Sequence, residues 1–349
     1  MNTTTALRGR RIAIIGGAGF IGHSLALSLR DAGADVDVID SLQVNNLLSF
    51  ASGSGGDNRE LYLRIINERL TRLMAAGVPL HPLDARDYQV LGRVLNQLKP
   101  QVIVHLAAVS HAGRSNKDPH STFDHSLRTL ENALDCARDS VEQFIYLSSS
   151  MVYGHFESEA ADENHPQNPI GIYGALKVAG EKLVIAYQQV FDLSYTIIRP
   201  SALYGPGCVS RRVSQVFIES AMSGGRLIVD GDGSSRLDFT YIDDLVQGIK
   251  LAIQVPAAKN ETFNITYGRS RAVSELVQIL QQHFPAVGVE RVPRDRLTPE
   301  RGTLTADKAR GVLGYSPQFD LETGIGRYID WYRQLRVGFE SVADEPSPA

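Results

Sequence analysis

Tyr173 and Lys177 stand four residues apart in Ile172-Tyr173-Gly174-Ala175-Leu176-Lys177. Residues at that spacing share one face of a helix. An ammonium beside a phenol favours the ionised phenol, so a group with an ordinary pKa of about 10 can serve as a base nearer neutrality. The same chain opens with Gly16-Gly17-Ala18-Gly19-Phe20-Ile21-Gly22, glycines of the kind that suggest a dinucleotide. A hydride carrier beside a poised phenol is equipment for oxidising a secondary alcohol.

The glycines gain weight from their setting. Ile12-Ala13-Ile14-Ile15 precedes them and an apolar-periodic segment follows. Strand, Gly turn and helix is the context the motif requires. The helix N-terminus, around Gly19, Phe20, Ile21 and Gly22, would face a pyrophosphate with free N–H groups and a positive dipole. Asp40 ends the second apolar run. A carboxylate there hydrogen-bonds both ribose hydroxyls of NAD and repels a 2′-phosphate, so NAD is expected over NADP. Asp84-Ala85 follows the third strand. Asp84 could accept from an adenine amino group or cap the helix at Tyr88, for which Asp87 is the better cap. His105-Leu106-Ala107-Ala108 ends the fourth strand, where small residues let a cofactor approach the backbone. Ser148-Ser149-Ser150 ends the fifth. Hydroxyls at the carboxyl end of a buried strand point into the ligand crevice of an open sheet, although Ser clusters also simply end strands.

Positioning these residues requires a sheet. Short apolar strands at Arg11–Ile15, Val36–Ile39, Val102–Leu106, Phe144–Leu147 and Tyr195–Ile198 alternate with helical patterns at Gly19–Ala32, Tyr88–Leu98 and Leu127–Ala137. This alternation implies a parallel sheet covered on both faces. Ser41 to Pro79 breaks the rhythm. The insertion, about 43–79, holds a Gly/Ser loop and a helix expected over Glu60–Ala76. Such insertions are usually surface decoration, with a substrate mouth as the alternative. The expected division is a dinucleotide-binding domain over 1–200, a smaller α/β lobe over 201–340 with some return of chain to the first domain, and a loose tail over 341–349.

The 349 residues are 43% hydrophobic and 21% charged, an ordinary globular composition. A net charge of -4 without a long basic run argues against nucleic acid. Two cysteines, Cys136 and Cys208, are too few for a disulfide framework and suit a reducing cytoplasm. No signal-peptide core and no stretch near the roughly 20 apolar residues of a membrane span is expected. No metal site is expected.

Taken together, these residues resemble the extended short-chain dehydrogenase/reductases of the NAD-dependent epimerase/dehydratase family, which act on nucleotide sugars. The markers run from about Arg11 to Tyr332: the glycine motif, His105-Leu-Ala-Ala, Ser148-Ser149 before Val152-Tyr153-Gly154, and Tyr173-x-x-x-Lys177. Further on come Arg199-Pro200 with Tyr204-Gly205-Pro206, Gly231-Asp-Gly-Ser, Asp238-Phe-Thr-Tyr-Ile-Asp-Asp and Leu313-Gly-Tyr-Ser-Pro. The resemblance implies a Rossmann-like doubly wound sheet holding NAD and a C-terminal lobe holding a nucleotide-diphosphate sugar, most simply a UDP-sugar. It implies Tyr173 as general base, Lys177 on the nicotinamide ribose, Ser149 at the catalytic Ser/Thr position, and a homodimer paired through the helix Tyr173–Phe191.

Departures from the family pattern narrow the reaction. Family members resembling 4,6-dehydratases carry an Asp-Glu pair after the catalytic Thr; here Ser150-Met151 stands there. Decarboxylating members carry Glu at the position of Met151. Dehydration needs a proton taken from C5 and another given to the leaving hydroxyl, and neither residue suits that. C4 epimerisation through a 4-keto sugar is therefore expected, with dehydratase, decarboxylase or dehydrogenase/reductase chemistry as alternatives. Ala202, with Ser201 beside it, replaces a frequent Asn. Leu237 holds the place of a diphosphate-gripping Arg, leaving Arg236 one residue earlier, and a one-residue shift on a strand turns a side chain to the other face. Arg211, Arg212 and Arg301 are candidates for the missing charge. Ser110 and His111 lie on the loop expected to line the sugar pocket.

Overall fold

The apolar runs form strands because their alternate residues find two separate cores. β1 (Arg11–Ile15), β2 (Asp35–Asp40), β3 (Leu80–Pro82), β4 (Val102–His105), β5 (Gln143–Leu147), β6 (Tyr195–Arg199) and β7 (Glu261–Asn264) build one sheet. Its order is β7-β6-β5-β4-β1-β2-β3, with parallel pairing throughout. Ile12, Ile14, Val102, Val104 and Ile145 point to one core; Ala13, Ile15, Ile103, Phe144 and Tyr146 point to the other. This period of two is what a strand buried on both faces requires. The computed structural model describes residues 7–53, 56–109 and 112–343.

Helices cover both faces. They include α1 (Phe20–Asp31), α2 (Arg59–Ala75), α3 (Tyr88–Leu98), α4 (Thr129–Ala137), α5 (Gly171–Phe191), α6 (Val213–Met222), α7 (Ile242–Gln254) and α8 (Leu321–Ala343). Leu25 and Leu29 of α1 and Leu245 and Ile249 of α7 fill the first core. Leu91 of α3, Leu130 and Leu134 of α4 and Val184 of α5 fill the second. Asp87 caps α3 by accepting from Val90 N at 3.0 Å. Gly19 begins α1 with no side-chain cap, which leaves the N–H groups of its first turn available to a ligand. Among the described residues no helix is long and apolar enough to cross a membrane.

Two regions depart from the sequence-based reading. The expected helix from Leu127 begins instead as a π-turn over Asp124–Arg128 that runs into α4. The insertion is no decoration. Tyr62, Ile65 and Ile66 of α2 pack with Phe50, Val209 and Leu335 in a core of their own. That core joins the insertion to the segment before α6 and to α8. Beyond β6 the chain forms short ladders, Arg226–Asp230 beside Gly288–Val292 and Arg236–Leu237 beside Arg271–Ala272, while β7 returns to the central sheet. Of the expected tail, residues 341–343 belong to α8 and 344–349 lie outside the described residues.

Candidate active site

The strand order reverses between β1 and β4, and ligands of open α/β sheets bind beyond the carboxyl ends of strands at such a point. A cleft of about 870 Å³ lies there, lined by Gly16, Gly19, Phe20, Ile21, Gly22, Asp40, Asp84, Ala85, Leu106, Ala107 and Ala108. Gly16 has φ +82°, and a Cβ on it would sit 2.7 Å from Ala107 N. Only glycine tolerates that conformation and approach. A Cβ on Gly19 would meet only Gly16 O, at 3.3 Å, so this glycine leaves open space toward the cleft.

Asp40 closes the far end of the cleft. It accepts from Leu42 N at 2.7 Å and from Ala18 N at 3.0 Å. Burial raises its pKa, while the two N–H groups and the nearby Arg69 lower it. The carboxylate thus fastens the glycine turn and retains lone pairs for a ribose diol. Asp84 is bound to Arg86, which pulls its pKa below the usual range against the effect of burial. Glycine turn, uncapped helix and strand-end carboxylate together fit NAD.

A second cleft, of about 1410 Å³, shares Ile21, Leu106, Ala108 and Arg212 with the first, so the two are continuous. Successive turns of α5 deliver Tyr173 and Lys177 to it, and the turn after β5 delivers Ser149 and Ser150. Burial raises the pKa of the Tyr173 phenol, and the neighbouring Ser149 hydroxyl and the charge of Arg212 lower it. Lys177 is buried, and burial lowers its pKa to about 8, with Glu181 opposing. Its Nζ donates to Leu147 O at 2.6 Å. Glu181 is itself held in a buried pair with Arg199 at 2.6 Å.

Ser201, Arg211, Arg212 and Arg301 line this second cleft. Burial lowers the pKa of Arg301 to about 10, and the Nε atoms of Arg212 and Arg301 have no hydrogen-bond partner. Buried guanidinium N–H groups without acceptors are costly, and an anionic ligand would satisfy them. Arg236 is not brought to the cleft. Its guanidinium donates to the hydroxyl and carbonyl of Ser270, and Leu237 lines the cleft instead. The cause is the strand alternation that accompanies the one-residue shift. Ser110 and His111 lie outside the described residues. Sequence reasoning missed Thr298 in the second cleft and His125 and Ser210 in the first, and it named Arg212 as a substrate contact without its place beside the first cleft. Only the folded chain brings the 207–212 segment over the glycine turn.

No carboxylate and no imidazole occurs among the described residues that line the second cleft. The ionisable groups there are one phenol, one lysine and three arginines. Such a wall can move a proton at a hydroxyl and hold a polyanion.

Residues 12–266 match the model of the NAD dependent epimerase/dehydratase family. The UDP-glucose 4-epimerase of Mycolicibacterium smegmatis is 30% identical over 332 residues, covering 93% of this chain and 98% of that protein. The solved epimerase of Methanothermobacter thermautotrophicus superposes with a TM-score of 0.84 at 26% identity, covering 98% and 97% of the two chains. A dTDP-glucose 4,6-dehydratase double mutant of Streptomyces venezuelae, solved with NAD bound, superposes with a TM-score of 0.83 at 28% identity, covering 95% and 99%. The chain is therefore a member of the NAD-dependent epimerase/dehydratase family of extended short-chain dehydrogenase/reductases, enzymes of nucleotide-sugar chemistry whose cofactor is NAD.

Proposed function

We propose that the protein is a nucleotide-sugar 4-epimerase, acting most simply on a UDP-sugar through a 4-keto intermediate. The observation that carries this reading is the second cleft's wall, which sets Ser149, Tyr173 and Lys177 together with no carboxylate among its described residues. NAD, when bound, supplies a centre that accepts a hydride from the sugar and later returns it. Ser149 donates a hydrogen bond to the sugar's O4, and Tyr173 removes the O4 proton and later gives it back. Lys177 orients the nicotinamide ribose. Arg211, Arg212 and Arg301 hold the diphosphate, which lets the keto sugar turn while the nucleotide stays anchored.

The likeness to a dTDP-glucose 4,6-dehydratase favours a second reading, dehydration with acid and base supplied from elsewhere. Ser150 and Met151, both lining the cleft, weigh against it. Proton NMR with a panel of UDP-, GDP- and dTDP-sugars tests the proposal. Inversion at C4 without net redox change supports it, and cofactor-dependent oxidation with release of NADH would place the protein among the dehydrogenases. The reading extends to a cytoplasmic homodimer paired through α5. On that helix Val190 is 70% exposed and Phe191 40%, while Leu183 and Ile185 pack on the second core. A monomer by light scattering at micromolar concentration would remove the dimer.

A further inference from the structure

Arg211 and Arg212 reach the site from an irregular segment before α6, and this segment is held from the insertion. Gly207 and Arg211 both take left-handed backbone conformations, φ +81° and +54°. A non-glycine residue persists there only when its surroundings enforce it. Two tethers from α2 and its N-cap residue Asn58 do so. Arg69 donates to Gly207 O, with Nε at 2.8 Å and Nη2 on the same carbonyl. At the other end, Tyr62 Oη and Asn58 Nδ2 donate to Glu219 at 2.7 and 3.0 Å. Gln215 Nε2 also donates to Glu219, at 2.8 Å, and Gln215 Oε1 accepts from Arg211 N at 2.8 Å. Arg69 is 2% exposed, its Nη1 has no partner, and burial lowers its pKa to about 10. A buried guanidinium bonded to a single carbonyl is a poor way to stabilise a fold. It is a good way to fix one carbonyl.

We infer that α2 is a positioning element of the active site: Arg69 and the Tyr62–Glu219–Gln215 relay hold residues 207–212 so that Arg212 stands where the two clefts meet. No residue of α2 lines either cleft, so apart from the charge that Arg69 lends to Asp40 its influence passes through the segment it grips. The inference rests on the reading of the second cleft as a nucleotide-sugar site.

The test replaces Arg69 by Met, which removes the charge at similar volume. Removing a buried cation relieves its desolvation, while Gly207 O loses its donors, so the thermal midpoint should change little. Amide hydrogen exchange across residues 207–212 should nevertheless quicken, while β1 and α1 stay protected. UDP binding to NAD-loaded protein, by calorimetry, should weaken by about 10-fold, the scale of remote positioning effects. Arg69→Lys, with one donor left for Gly207, should recover part of the loss. Arg69→Met added to the paired change Arg211→Met and Arg212→Met should cost nothing further, because a residue acting only through these arginines is silent without them. Tyr62→Phe probes the second tether and should quicken exchange at the Arg211 amide. Unchanged exchange over 207–212, or a further loss when Arg69→Met is added to the variant lacking both arginines, would overturn the inference. Wild-type protein that fails to bind UDP would count against the nucleotide-sugar reading alone, since the exchange rates still decide the positioning claim.

Discussion

Lys177 Nζ donates to the main-chain carbonyl of Leu147 at 2.6 Å, while the ring of Tyr173, one helical turn away, lies 6.0 Å from it. The lysine thus ties α5 to the end of β5 and fixes the distance between the phenol and Ser149. The sequence reading made Lys177 the cation that holds the phenol's pKa down. In the fold, burial raises that pKa, and the lowering comes from Ser149 and from Arg212 across the cleft.

Tyr173→Phe should cut turnover by at least the ~10²–10⁴-fold that a positioned acid–base group contributes. NAD content after purification should be nearly unchanged, because loss of the phenolic hydroxyl leaves in place the role proposed for Lys177 on the nicotinamide ribose. Lys177→Ala should damage both turnover and NAD retention. Steady-state rates and cofactor content, measured on the same preparations, check the pair.

Arg212→Met removes a cation that favours the phenolate, so the Tyr173 pKa must rise. The acid limb of the pH dependence of kcat should then move to higher pH. An unmoved acid limb would mean that the limb belongs to another group.

Asp238 is fully buried and accepts from Gly268 N and Leu304 N, each at 3.2 Å. Burial raises its pKa from 3.8 to about 7, those N–H groups opposing. Its folded value lies above its unfolded value, so the native state holds the proton more tightly. The resulting stability is full below about pH 4 and is lost as pH rises through about 7, at up to about 1.4 kcal/mol per pH unit. Denaturant melts at pH 5 and pH 7.5 should show this loss in the wild type and a smaller one in Asp238→Asn. The variant is also weaker overall, because a carboxamide offers a single acceptor oxygen to two donors.

Asp40→Ala should weaken NAD, reduce discrimination against NADP, and lower the thermal midpoint. The last effect follows from the N–H groups of Ala18 and Leu42, which lose their acceptor; each unsatisfied donor costs about 1–3 kcal/mol. Calorimetry with both dinucleotides is decisive. Equal or tighter NADP binding by the wild type would remove the role given to Asp40.

What could be read from the sequence was whatever local pattern encodes. The continuous apolar run Ile12–Ile15 set a strand, and the glycines after it set the turn and the start of α1. Asp40 was legible because it ends a strand at a fixed distance from that turn. The helix of the insertion was legible from its length and terminal Gly77, yet its packing was not. Nothing near Tyr62 announces Glu219, 157 residues later. The same holds for Ser210 and Arg212 over the cofactor cleft, since long-range closure leaves no local trace. Arg236 shows the reverse case: the one-residue shift was visible, and strand alternation alone gives its outcome.

The most direct measurement is proton and carbon NMR of the product formed from a UDP-sugar in heavy water. An epimerase acting only at C4 inverts that centre, places no solvent deuterium on C5 and loses no water. Deuterium at C5, or a dehydrated product, would contradict the account, because it would require acid–base groups that the described wall of the cleft does not contain.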